Sequence, residues 1–134
     1  MEKKTERLIL ALVADLFFIT RVQSVCDRLG YAVKFIETTA QVGAEVDFGQ
    51  YAAENQPVLL IVDTSHRGVP WAEWLAALKA APETAAIPVV CFGSHKDVET
   101  MKQAKQAGAD AVLAKSRFTE AMPEIIEKYA LKAA

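Results

Sequence analysis

Apolar residues gather in five short runs along the chain: Arg7 to Val13, Ala32 to Ile36, Val58 to Val62, Ile87 to Phe92 and Ala111 to Ala114. Each run has the length of a strand. After each comes a longer stretch in which apolar residues return every three or four positions, the period of a helix with one buried face. Ile19, Val22, Val25, Cys26 and Leu29 form the first stripe, which stops at Gly30, a residue suited to helix C-termini. Trp71, Trp74, Leu75 and Leu78 predict a third helix over Val69 to Ala80. Val98, Met101, Ala104 and Lys105 predict a fourth that closes at Gly108, and Met122, Ile125, Ile126 and Tyr129 a last one. Between Thr39 and Asn55 the helical signal is weak, because Gly43 and Gly49 interrupt it.

Strand followed by helix, repeated with short connections, implies parallel strands joined by right-handed crossovers and a sheet covered on both faces. The expected fold class is α/β, a three-layer α/β/α doubly wound (βα)5 parallel sheet. A length of 134 residues with 52% apolar content predicts a single domain, residues 1–134, with one sizeable core. The net charge is −2, and Lys and Arg are scattered among Asp and Glu, which argues against a nucleic-acid binder. No run approaches the roughly 18 apolar residues of a membrane span, and Leu8 to Val13 is too short and wrongly flanked for a signal peptide, so the expected location is cytoplasmic. Cys26 and Cys91 sit within apolar segments, as reduced buried thiols do.

In doubly wound sheets the polar site forms where strand C-terminal ends meet at a switch in strand order. Asp15, Asp63, Ser94, His95 and Lys115 all stand at or just beyond such ends. The stretch LLIVDTSHRGVPW, Leu59 to Trp71, delivers Asp63 at the end of a buried strand. Each candidate also has a plainer reading. Asp63 can close the strand and cap the turn, and Lys115 can be a tethered cation for Asp63 or a solvated strand-end lysine. Ser94-His95-Lys96-Asp97 reads as a capping box for the fourth helix. Asp15 either caps the helix that begins near Leu16 or binds a cation. Phe17 and Phe18 stand at that helix entry as an apolar lid over the rim or a partner contact, or with one ring in the core and the other exposed. Trp71 and Trp74 read as packing. His66 and His95 lack strong metal-ligand spacing, and Ser94, His95 and Asp63 lack the elbow of a hydrolase. No G-x-G-x-x-G or P-loop opens a helix.

The order and spacing of LLIVD, of Gly68 in the following loop, of AIPVVCFGS and of QAGADAVLAKSRF resemble the receiver domain of bacterial response regulators over essentially the whole chain. The resemblance implies a flavodoxin-like receiver fold with strand order 2-1-3-4-5. It implies that Asp63 is the phosphoacceptor-equivalent, that Lys115 and a hydroxyl at the end of the fourth strand, Ser94 by proximity, pair with the phosphoryl group, and that Mg²⁺ is held by two acids after the first strand with the carbonyl of Ser65. The sequence departs from the pattern: Val13 and Ala14 stand where the acids belong, with Asp15 one place later, and Gly93 stands at the hydroxyl position. Val112 and Ser116 replace the family's aromatic and proline around the lysine. A weak or absent Mg²⁺ site at Asp15, Asp63 and Ser65 is therefore expected, with no other cofactor.

The expected function is an atypical stand-alone receiver module in two-component-type signal transduction. Such a module has no output domain and is not an enzyme; it acts through protein contacts with weak or absent phosphorylation of Asp63. By resemblance the partner is a histidine kinase or a downstream signalling protein, and the partner face runs over the fourth helix, fifth strand and fifth helix, including Lys102, Lys105 and Arg117. The alternative is a small-molecule-binding doubly wound domain using the strand-end crevice beneath Phe17 and Phe18.

Overall fold

The computed structural model describes residues 7–43 and 46–132. Its strands are β1 (Arg7–Leu12), β2 (Tyr31–Phe35), β3 (Leu59–Asp63), β4 (Val89–Gly93) and β5 (Ala111–Ala114). All pair in parallel, in the order β2-β1-β3-β4-β5. The expected sheet and strand order are therefore present, with β1 in the interior of the sheet.

Alternation along the strands divides the core into two layers, since successive side chains point to opposite faces. Ile9, Ala11, Val13, Leu59, Ile61, Val90 and Phe92 turn toward α1 (Leu16–Leu29), α5 (Lys115–Glu120) and α6 (Met122–Lys132), where Phe18, Val22, Cys26, Phe118, Met122 and Ile126 meet them. Leu10, Leu12, Leu60, Val62, Val89 and Cys91 turn the other way, toward α2 (Phe48–Asn55), α3 (Trp71–Ala80) and α4 (Val98–Ala107). Cys26 and Cys91 thus lie on opposite faces of the sheet as free thiols. Burial pushes each of them up to about 12.

Helix boundaries follow local chemistry. Gly30 and Gly108 end α1 and α4 in the left-handed region, with φ of 87° and 111°. The third helix starts at Trp71, two residues later than expected, because Pro70 biases Val69 away from helical geometry. The weakly patterned segment resolves into a 3₁₀ turn at Thr39–Gln41 and a short α2 capped by Asp47, whose carboxylate accepts from the Gln50 N–H at 2.8 Å. The last helix, α6, carries the expected stripe, and a further short helix, α5, precedes it, parted from it at Ala121 just before Pro123, which has no N–H to offer. Trp74 stacks on Phe48 at 4.6 Å, and Trp71 is buried with its Nε1–H donating to the Thr64 carbonyl at 3.1 Å, so both tryptophans pack as expected.

Candidate functional site

The C-terminal ends of β1, β3 and β5 surround an open cleft of about 410 Å³, lined by Ala14, Asp15, Glu37, Asp63, Ser65, His66, Arg67, Gly68 and Lys115. Asp63, Ser65, Asp15 and Lys115, four of the expected site residues, therefore share one wall-to-wall space. Three carboxylates and two fixed cations line it. A second cleft, about 450 Å³, lies on the other side of the Ser65–Arg67 loop, between α3 and α4.

Asp63 is the last residue of β3 and only 3% exposed. Its Oδ1 accepts the Ser65 N–H at 2.9 Å and its carbonyl accepts the His66 N–H at 3.0 Å, so the chain curls back over the carboxylate. Lys115 begins α5 directly after β5, and that start sends its side chain over the Phe18 ring, with Nζ 5.8 Å from the ring centre. Among the described residues the one ion pair within 4 Å is Lys79–Asp110, far from this cleft. Lys115 thus shares the cleft with Asp63 and forms no ion pair with it within 4 Å.

Of the two readings of Asp15, the cap is realised: its Oδ1 accepts the Phe17 N–H at 2.8 Å and the Phe18 N–H at 3.3 Å. Val13 points into the α1-side core and Ala14 onto the cleft. The two carboxylates expected to serve a cation, Asp15 and Asp63, each have one oxygen engaged by the backbone. Among the described residues no group of three or more His, Cys, Asp or Glu side chains is placed to hold a metal. A Mg²⁺ ion prefers octahedral oxygen coordination, and this donor set falls short of it.

Ser94 turns to its own loop. It is exposed on the second cleft, and its hydroxyl accepts the Lys96 N–H at 3.2 Å. The fourth helix is capped instead by Asp97, whose two oxygens take the Thr100 N–H at 3.1 Å and hydroxyl at 2.7 Å and are held below the usual carboxylate range by those two bonds. Phe18 packs on Phe92 at 4.7 Å and on Phe118 at 6.4 Å, while Phe17 is 55% exposed. Lys102, Lys105 and Arg117 are exposed on α4 and α5.

Two features of the rim escaped the sequence reading. Thr64 lays its hydroxyl in the space that a Cβ at Gly93 would enter, and hydrogen-bonds the Phe92 carbonyl at 3.4 Å. The space beside the end of β4 that a side chain at Gly93 would take is thus filled by a side chain carried after β3. The second is His66, considered only as a metal ligand. It is 7% exposed; its Nε2 donates to the Ile36 carbonyl at 3.1 Å and its Nδ1 accepts the Gly68 N–H at 3.1 Å. The signal for the first was a glycine ending a buried strand next to a threonine on its neighbour; for the second there was none, since Ile36 and Gly68 meet only in space.

No family model matches the chain, and no curated protein matches it by sequence. Solved structures do. The phosphorylated cyanobacterial phytochrome response regulator RcpA superposes with a TM-score of 0.75 at 19% identity, covering 97% of each chain. The fold is that of a response-regulator receiver domain. A response regulator from Hahella chejuensis gives 0.76 at 18% identity over 92% of this chain and 95% of its own. The receiver domain of a sensor histidine kinase from Pseudomonas aeruginosa, which holds magnesium in its active-site cleft, gives 0.74 at 15% identity over 94% and 98%.

Proposed function

We propose that the chain is an atypical receiver module of two-component-type signal transduction. It works in the cytoplasm by binding a protein partner, a histidine kinase or a downstream signalling protein, and carries out no catalytic turnover. What supports this reading is the receiver fold together with a rim at which Asp63 and Lys115 face one cleft. Lys102, Lys105 and Arg117, exposed on α4 and α5, supply the partner face. Alanine at all three positions is expected to weaken partner binding; unchanged affinity moves the face elsewhere.

The cleft is a poor place for carboxylate attack on a phosphoryl donor. That reaction gathers anions, and a cation must offset them. Magnesium would draw on Asp63, Asp15 and the carbonyl of Ser65, but Asp15 caps α1 and Val13 is in the core. The observation that carries this reading is the engagement of Asp15 by two backbone N–H groups. Exposure of the protein to a small phosphodonor with Mg²⁺, followed by intact-mass measurement, is expected to show little or no gain of one phosphoryl group. A rapid gain that vanishes in Asp63→Asn overturns it and makes the protein an ordinary phospho-switch.

A further inference from the structure

The loop after β3 is fastened to a strand that is not its neighbour. In the order β2-β1-β3-β4-β5, β1 separates β3 from β2. The His66 ring, carried by the β3 loop, reaches across the end of β1 to the carbonyl of Ile36, the residue that follows β2. Gly68, further along the same loop, gives its N–H to the other ring nitrogen. There is no room for a side chain at Gly68: a Cβ would stand 2.5 Å from the Glu37 carbonyl oxygen and 2.8 Å from His66 Cε1. The loop therefore lies directly on the chain that leaves β2.

The other bonds of this loop run elsewhere. Ser65 and His66 donate to Asp63 itself, the Thr64 carbonyl accepts from Trp71, and Thr64 donates to the Phe92 carbonyl on β4. Among the described residues, the His66 ring makes the one hydrogen bond from the Thr64–Pro70 loop to the β2 side. The ring, Gly68 and Glu37 also wall the cleft in which Asp63 lies. Both ring nitrogens are engaged and the ring is buried, so letting go means exposing an unpaired carbonyl and an unpaired N–H together.

We infer that His66 is a latch: while its ring bridges Ile36 and Gly68 the β3 loop is held down and Asp63 is shut off from solvent, and release of the ring lifts the loop and opens the carboxylate to whatever would bind or modify it. Access to Asp63 is then set by the opening equilibrium of one loop, separate from unfolding of the domain. This goes beyond the proposed signalling role and holds whether or not Asp63 is ever phosphorylated.

Thiol labelling of the full chain tests it. A cysteine reporter is introduced by Asp63→Cys and its reaction with a small thiol reagent is followed with His66 present and in the His66→Ala background. Cys26 and Cys91 serve as internal references, because they are buried on opposite faces and their thiols are pushed up to about 12, so they react only when the core opens. The latch predicts that His66→Ala speeds labelling at position 63 at least tenfold while the rates at Cys26 and Cys91 stay put. Gly68→Ala, which drives the loop off the Glu37 carbonyl, should act in the same direction and stands in where His66→Ala does not fold. Amide exchange of the Gly68 N–H, read without any change at position 63, should quicken by the same factor in His66→Ala. Equal labelling at position 63 in both backgrounds, or all three thiols speeding up together, overturns the latch.

Discussion

The molecule uses a lysine and an aspartate at each edge of the sheet, and uses them differently. At the lower edge, where the strands begin, Lys79 donates to the carbonyls of Ala85 and Ile87 at 3.0 and 2.7 Å and to Asp110 Oδ2 at 3.0 Å, and Asp110 also accepts the Val89 N–H at 2.8 Å. That set closes on itself and ties the entry to β4 to the turn before β5. At the upper edge Lys115 rests over an aromatic ring and Asp63 holds one backbone N–H, with a cleft between them. A charge pair whose partners are all supplied by the fold is part of the fold. Charges gathered in one place and left without an ion-pair partner are not spent on holding the fold together.

The largest effect is expected from Phe18→Ala, which removes the ring under Lys115 and opens a cavity against Phe92 and Phe118; a loss of about 3–5 kcal/mol in urea denaturation is expected. A much smaller loss would mean that the upper edge is not seated on the aromatic core. Lys79→Met should lower stability by about 1.5–3 kcal/mol, because it strands two carbonyls and a carboxylate, and it should do so at moderate as well as low salt. Next comes the swap at the rim. Gly93→Ala should cost about 1–3 kcal/mol by colliding with the Thr64 hydroxyl, and Thr64→Ala in the same chain should return most of that loss; additive effects would show that the two positions do not share the space.

Alkali gives a reference that belongs to neither edge. Both thiols are raised by burial from 9.0 to about 12, so the unfolded chain loses their protons first as pH rises. Their contribution is complete below pH 9 and falls between 9 and 12, by about 1.4 kcal/mol per pH unit for each thiol; Cys91→Ala should remove one share of the slope. Lys115→Met is expected to change stability least, by under about 0.5 kcal/mol, since no ion pair is broken. Equal losses from Lys79→Met and Lys115→Met would abolish the distinction between the edges.

What was legible in the sequence is what repeats with the period of an element. The unbroken apolar runs of β3 and β4 and the stripe of α1 follow from burial on two faces and on one, and their residues say so directly. Asp63 and Lys115 were legible because strand ends are marked by the stop of an apolar run. Side-chain direction at the rim was not. Ser94 turned to its own loop because Lys96 N–H is two residues away, a local bond that spacing alone does not rank against others. Lys115 turned onto Phe18, a neighbour on α1 nearly a hundred residues earlier in the chain, and His66 found Ile36 thirty residues earlier. Such contacts exist only once the sheet order is set.

The interior position of β1 bears on how the chain is made. During synthesis β1 emerges first and can pair with β2 as soon as Phe35 is out, but its other side has no partner until β3 ends at Asp63. The layer over Ile9 and Ala11 stays incomplete until Met122 and Ile126 arrive on α6, near the end of the described chain. A ribosome-bound fragment that stops before β3 thus carries a two-stranded ribbon with an open apolar edge, the kind of intermediate that chaperones hold and that aggregates when it waits.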